Sequence, residues 1–198
     1  GDLFFHPNMA HLRLKNLRFG SAGTGDRMVE AMGLSHGMSV LDCTLGFGAD
    51  AIVASFAVGP EGKVTGIESQ PLIETVVGHG LAHFKAENWP IQEAMRGIET
   101  VCADAFSYLK QQEDDSVDVV YFDPMFRHPL LESRSLSPLR TVANHAPVSP
   151  AMIEEACRVA RPRVVFKENA RSLEFERLGF TQIMGGRYSK VHYGVRIL

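Results

Sequence analysis

The chain of 198 residues is short of several things, and each shortage narrows what it can be. It has three cysteines, Cys43, Cys102 and Cys157, an odd number without a CxxC pair. Neither a disulfide framework nor a cysteine metal site is expected, and the three read as reduced thiols. No apolar run approaches the roughly 20 residues that a membrane helix needs. The opening GDLFFHPNMAHLR has no signal-peptide pattern, so a cytoplasmic protein without a membrane partner is expected. A basic excess is missing too: 20 Lys and Arg stand against 23 Asp and Glu, a net charge of −3. That excludes a protein that grips nucleic acid mainly by bulk charge and leaves such binding to local patches. There is no internal repeat and no low-complexity tract.

What is there suits one domain over residues 1–198: 45% hydrophobic, 22% charged, and long enough to bury roughly 70% of its unfolded surface. Short apolar runs at Met38–Cys43, Lys63–Ile67, Ile98–Cys102, Val117–Phe122 and Arg163–Lys167 read as strands. Helical stretches alternate with them at Ala49–Val58, Pro71–Glu87, Asp104–Gln111 and Pro150–Ala160. Pro71 and Pro150 suit first helical turns, the second behind a Ser149 cap. Such alternation predicts an α/β fold with a parallel sheet covered on both faces. After a short helix near Ser172–Leu178, the runs Phe180–Met184 and Lys190–Ile197 flank a turn that begins at Gly185-Gly186. They predict a C-terminal antiparallel hairpin and seven strands in all. Residues 1–24 read as an N-terminal arm. The irregular stretch 127–149 reads as a substrate loop, since long loops in compact domains are usually functional or disordered.

The segment VLDCTLGFGADA passes from a buried strand into a helix through Gly46 and Gly48. Glycines there let the backbone approach a ligand, and the helix N-terminus adds partial positive charge. Gly46, Gly48 and Ala51 satisfy a loose dinucleotide fingerprint, with Glu68 where a ribose-binding acid belongs, so an NAD-dependent oxidoreductase is one reading. The carboxylates Asp42 and Asp50 favour another. They would repel a pyrophosphate, whereas the methionine ammonium and sulfonium of S-adenosylmethionine would welcome them. Asp104, in CADAF, either accepts from an adenine amino group or only caps the next helix, and sequence leaves the two open. Glu68, closing GKVTGIE, can accept both ribose hydroxyls.

The strand VDVVYF ends in Asp123-Pro124-Met125-Phe126. An Asp before Pro at the carboxyl end of a parallel strand holds a carboxylate and a backbone carbonyl rigidly in the cleft. Two adjacent acceptors match the two hydrogens of an aromatic amine and turn its lone pair toward a methyl donor. Phe126 could stack on a base. Asp123, Pro124 and Phe126 are therefore the candidate catalytic residues.

Together, GFGAD, GIES, CADA and YFDPMF resemble the class I methyltransferases that modify exocyclic amines of bases through D/N-P-P-Y/F motifs. More narrowly they are similar to the RsmJ family of small-subunit ribosomal RNA guanine methyltransferases, with a near-identical DPMF. The resemblance runs from the N-terminal MAH stretch to the strand RVVFK. It implies a Rossmann-like seven-stranded sheet, an S-adenosylmethionine cofactor and an RNA substrate, ribosomal RNA or the small ribosomal subunit. Carried residue by residue, it implies cofactor contacts at Ala49, Asp50, Glu68, Ser69, Asp104, Ala105 and Asp123. The family has Arg where this chain has Ala49, and Met125 replaces the second Pro of the wider motif. The expected alternatives are an NAD-dependent oxidoreductase and an RNA-binding relative that has lost turnover.

Weaker signals remain. His79 and His83, with Glu87 a turn on, have metal-ligand spacing but no fourth ligand, so a solvated helix face is expected. Arg13, Lys15 and Arg18 fit either a phosphate-contacting arm or an amphipathic surface segment. Arg127, His128, Arg134 and Arg140, just past the DPMF motif, are candidates for substrate contact.

Overall fold

A computed structural model describes residues 2–19, 25–124 and 147–198. Phe126, Arg127, His128, Arg134, Arg140 and most of the 127–149 loop lie outside the described residues, as does the side chain of Arg18.

Two helices, α1 (Asn8–Phe19) and α2 (Arg27–Met32), precede the sheet. Then come β1 (Ser39–Asp42), α3 (Ala49–Val58), β2 (Lys63–Glu68), α4 (Pro71–His83), α5 (Trp89–Arg96), β3 (Ile98–Cys102) and α6 (Ala105–Lys110). The second half holds β4 (Val117–Phe122), α7 (Pro150–Val159), β5 (Ala160–Asn169), α8 (Glu174–Arg177), β6 (Gln182–Met184) and β7 (Val191–Ile197). The sheet order is β3-β2-β1-β4-β5-β7-β6, parallel except for β7, which runs antiparallel to both β5 and β6. Seven strands and a C-terminal hairpin match the sequence reading.

The sheet is buried on both faces, and side-chain alternation shows why β4 can be an unbroken apolar run. Val119 and Tyr121 join one core, with Ile52 and Met28, while Val120 and Phe122 join the other, with Ile153 and Phe166. At the carboxyl edge the acids line up. Asp42 ends β1, Glu68 ends β2, and Asp104 and Asp123 follow β3 and β4. Strand order reverses between β1 and β4, where open α/β sheets place their ligands.

Three differences from the sequence reading have physical causes. The helix expected over Pro71–Glu87 stops at His83, because Phe84 turns extended and packs edge-on against Phe5 and His6. Phe5 reaches that place because position 80 is glycine: a Cβ there would stand 2.3 Å from its ring. The unexpected α5 carries Pro90 in its first turn, where proline is tolerated, and buries Ile91, Ala94 and Met95. The segment read as an arm contains α1, which sinks Ala10 and Leu14 into the core.

Candidate active site

The loop after β1 sets the geometry. Gly48, at φ 84, caps α3 in the left-handed region, which lets the chain turn sharply from strand to helix. Four amides at the start of this loop have protein partners. Cys43 donates to the Tyr121 carbonyl (2.9 Å), Thr44 to Asp42 Oδ1 (2.9 Å), Leu45 to the Ile67 carbonyl (3.0 Å) and Gly46 to Glu68 Oε1 (3.3 Å). A pyrophosphate site needs such donors free and pointing outward. With the Asp50 carboxylate in the first turn of α3, the loop is a poor dinucleotide cradle.

Beside it opens a cleft at the carboxyl edge of the sheet. Glu68, Ser69, Asp104 and Ala105 line it, as the sequence reading expected of cofactor contacts, together with Thr44 and Pro124. Ile67, Ala103, Phe122, Val148 and Met152 supply apolar walls suited to an adenine ring. Glu68 accepts from the Gly46 and Gln70 amides, so the backbone fixes its carboxylate while lone pairs remain for ribose hydroxyls. Burial raises its pKa, with those amides opposing. Asp104 does cap α6, its Oδ2 accepting from the Ser107 amide (2.9 Å) and hydroxyl (3.0 Å), and it lines the cleft as well. These residues fit S-adenosylmethionine: an acid for the ribose, an acid at the adenine edge and apolar faces between.

Asp42 and Asp50 are not among the residues that wall the cleft. Asp42 is 1% exposed, and its Oδ2 has no partner among the described residues. Burial, then the neighbouring charge of Asp50, pushes its pKa up to about 8. Asp50, preceded by the half-buried Ala49, carries a denser set of bonds. Arg13 reaches its Oδ1 at 2.5 Å, the Tyr121 hydroxyl donates to Oδ2 at 2.7 Å, and Lys167 Nζ lies 3.4 Å from Oδ2. Burial works to raise its pKa, but Lys167, Arg13 and Tyr121 hold it well below the usual carboxylate range.

Lys167 is also 3.4 Å from Asp123 Oδ2. Burial lifts the Asp123 pKa to about 6, with Lys167 pulling down and Asp50 pushing up. On its backbone side, Asp123 donates its amide to Thr44 Oγ1 at 2.6 Å, and that hydroxyl donates to Asp42 Oδ1 at 3.2 Å. The end of β4 is thus tied to the loop after β1 through one threonine.

A family model described as "Putative SAM-dependent methyltransferase" matches residues 5–183. The chain belongs to this family. S-adenosylmethionine is accordingly its cofactor, and the NAD alternative falls away. The uncharacterized protein YpiP of Bacillus subtilis (strain 168) is 45% identical over 192 residues, which cover 97% of this chain and 73% of that protein. Ribosomal RNA small subunit methyltransferase J of Pseudomonas fluorescens (strain Pf0-1) is 31% identical over 169 residues, 83% of this chain and 62% of that protein. The SAM-dependent methyltransferase NGO1261 from Neisseria gonorrhoeae shares the fold at a TM-score of 0.65 and 19% identity, over 94% of this chain and 72% of that one.

This methyltransferase holds residues the sequence reading did not single out: Lys167, Tyr121, Thr44 and, in this role, Arg13. Lys167 had a visible signal, a lone cation at the carboxyl end of the apolar strand RVVFK. Arg13, read as either phosphate contact or surface residue, turns inward to Asp26 (2.6 Å) and Asp50. His79 and His83 stack at 4.3 Å with His83 Nδ1 3.0 Å from the His79 carbonyl, and no group of three metal-ligating side chains occurs among the described residues. No described helix is long and apolar enough to cross a membrane.

Proposed function

We propose that this methyltransferase acts on an exocyclic amine of a nucleic-acid base, with guanine in small-subunit ribosomal RNA as the substrate. One observation carries the reading. Asp123, on the rigid Asp-Pro end of β4, is fixed from both sides, by Thr44 on its amide and by Lys167 on its carboxylate, while Pro124 lines the cofactor cleft. A carboxylate has lone pairs for several donors, so the ion pair leaves capacity for an amine hydrogen. The Pro124 carbonyl takes the second.

The bound cofactor supplies an electrophilic methyl group on a sulfonium. Asp123 and the Pro124 carbonyl orient the amine so that its lone pair faces that carbon, which is catalysis by positioning. The N–C bond forms as the C–S bond breaks, and the amine proton passes to water, so no strong base is needed. Of the carried contacts, Glu68 and Ser69 hold the ribose side and Asp104 and Ala105 the adenine side. Gly46, Gly48, Ala49 and Asp50 shape the methionine end, with Asp42 behind them.

Similarity to methyltransferase J supports ribosomal RNA as the substrate class. Mass-spectrometric mapping of ribosomal RNA from cells with and without this protein tests it. Loss of one methylated guanine is expected, and an unchanged profile overturns the reading. An RNA-binding relative without turnover would bind RNA yet transfer no labelled methyl.

A further inference from the structure

Although the chain is acidic overall, one loop of the catalytic edge is not. The turn between β6 and β7 carries Arg187, Tyr188 and Lys190, all exposed. Because β7 runs antiparallel to β5, the loop emerges at the carboxyl edge of the parallel strands. Asn169, the last residue of β5, pairs with Val191, and the Ala170 amide donates to the Lys190 carbonyl at 2.9 Å. Arg171 follows on that edge, and Arg27 approaches from α2, where a Cβ on Gly186 would meet its guanidinium at 3.6 Å. β7 is two inter-strand spacings from β4, about 10 Å from the strand that presents Asp123.

None of Arg27, Arg171, Arg187 and Lys190 has a carboxylate partner among the described residues, unlike the paired cations Arg13, Arg158, Lys167 and Arg177. Tyr188 is 89% exposed, the most exposed large hydrophobic side chain described, with the Arg187 guanidinium 5.6 Å from its ring centre. The loop is nonetheless ordered by its own bonds: Ser189 donates to the Gly186 carbonyl at 3.0 Å, and His192 Nε2 lies 3.1 Å from the same oxygen. A solvent-facing aromatic on an ordered turn, among unpaired cations, is what a single strand needs, a stacking face for a base and charges for phosphates.

We infer that the β6–β7 loop is the docking surface for the single-stranded RNA that carries the target base, an inference that rests on the base-amine reading above. The cations hold the phosphates flanking that base, and Tyr188 stacks on a neighbouring one. An acidic protein lacks a base to stack on Tyr188, and an anionic bilayer offers none either.

The test is fluorescence anisotropy of a fluorescein-labelled single-stranded oligoribonucleotide, titrated at several salt concentrations. Arg187→Glu with Lys190→Glu should weaken binding at least tenfold and reduce the salt slope by about 1.4, two phosphates at about 0.7 each. Tyr188→Ala should weaken it about fivefold or more with the slope unchanged, and Tyr188→Phe should restore it. Thermal stabilisation by S-adenosylhomocysteine should be the same in every variant, which shows that the fold and cofactor cleft are intact. Wild-type affinity and slope in the variants would overturn the inference. So would loop-dependent binding to polyglutamate or phosphatidylserine vesicles without binding to RNA. Methyl transfer to ribosomal RNA from cells lacking the protein separates the two readings. If the wild type transfers nothing, the base-amine reading fails. If it transfers and the loop variants show the same KM, the docking inference fails alone.

Discussion

On the β2–β3 side of the switch point, Glu68 and Asp104 accept only from backbone amides and a serine hydroxyl, and they face an open cleft. On the β4–β5 side, Asp50 and Asp123 converge on one ammonium, that of Lys167, and Asp50 adds Arg13. The same functional group is thus used in two ways. A carboxylate held by neutral donors keeps its acceptor capacity and can be given to a ligand. A carboxylate held by a cation is fixed in place and charge, which suits a group that must orient a reacting amine. Substitutions on the two sides should therefore differ in what they damage.

The largest effect is expected at Lys167. Lys167→Met leaves Asp123 without its cation, and because the pair is only part-buried the loss in a chemical-denaturation measurement should reach at most about 3 kcal/mol, the lower end for fully buried pairs. It should also move the acid limb of the rate profile. On the proposed reading Asp123 accepts from the amine in its ionised form, so the wild-type rate should fall as pH drops through about 6. Without Lys167 to pull that pKa down, the limb should shift to higher pH, and Lys167→Arg should bring it partway back. A limb that stays in place would detach Lys167 from Asp123.

Asp123→Asn keeps the size but adds a donor that conflicts with the amine. Single-turnover methyl transfer at saturating cofactor should slow by roughly a hundredfold, the scale of losing one preorganised polar group. Cofactor affinity should change far less. On the other side, Glu68→Ala should do the reverse, weakening cofactor binding in calorimetry by about 1.5–3 kcal/mol while folding survives. Unchanged affinity would make Glu68 a clasp for the Gly46 and Gln70 amides and nothing more.

The last test is read as a slope against pH and concerns Asp42, which belongs to neither pattern. Its folded pKa, about 8, lies above the unfolded value near 4, so the folded state binds the extra proton between them. Stability therefore falls as pH rises through that window, by at most about 1.4 kcal/mol per pH unit. Asp42→Asn, which mimics the neutral acid, should remove this slope from urea melts. Parallel pH dependences in the two proteins would place the ionised form of Asp42 in the folded state.

The contrast also marks what could be read from sequence. The runs Ala49–Val58, Ile98–Cys102 and Val117–Phe122 are observed with the same bounds as expected, because periodicity and flanking turn residues are local. Of the residues that line the cleft, Glu68 and Asp104 stand out in the sequence because each lies at or just past the end of a strand, whereas Ser69 and Ala105 are implied only by the family resemblance. The ion network was not legible. Its members pair across the chain, and no local pattern tells Arg13 to turn inward rather than face solvent. Short α5 hid behind Pro90, and α1 behind a polar segment in which the buried Ala10 and Leu14 are four apart.

Asp50 gathers its partners from sequence distances of 37, 71 and 117 residues. Contacts of that range close large loops, whose entropy must be met before the contact rewards it. During synthesis the first loop and β2 can pair well before β5 exists, but Asp50 has no second cation until residue 167 has emerged. A nascent or truncated chain that ends before β5 lacks the ammonium that Asp50 and Asp123 share. Completion of the catalytic edge is thus coupled to completion of nearly the whole sheet.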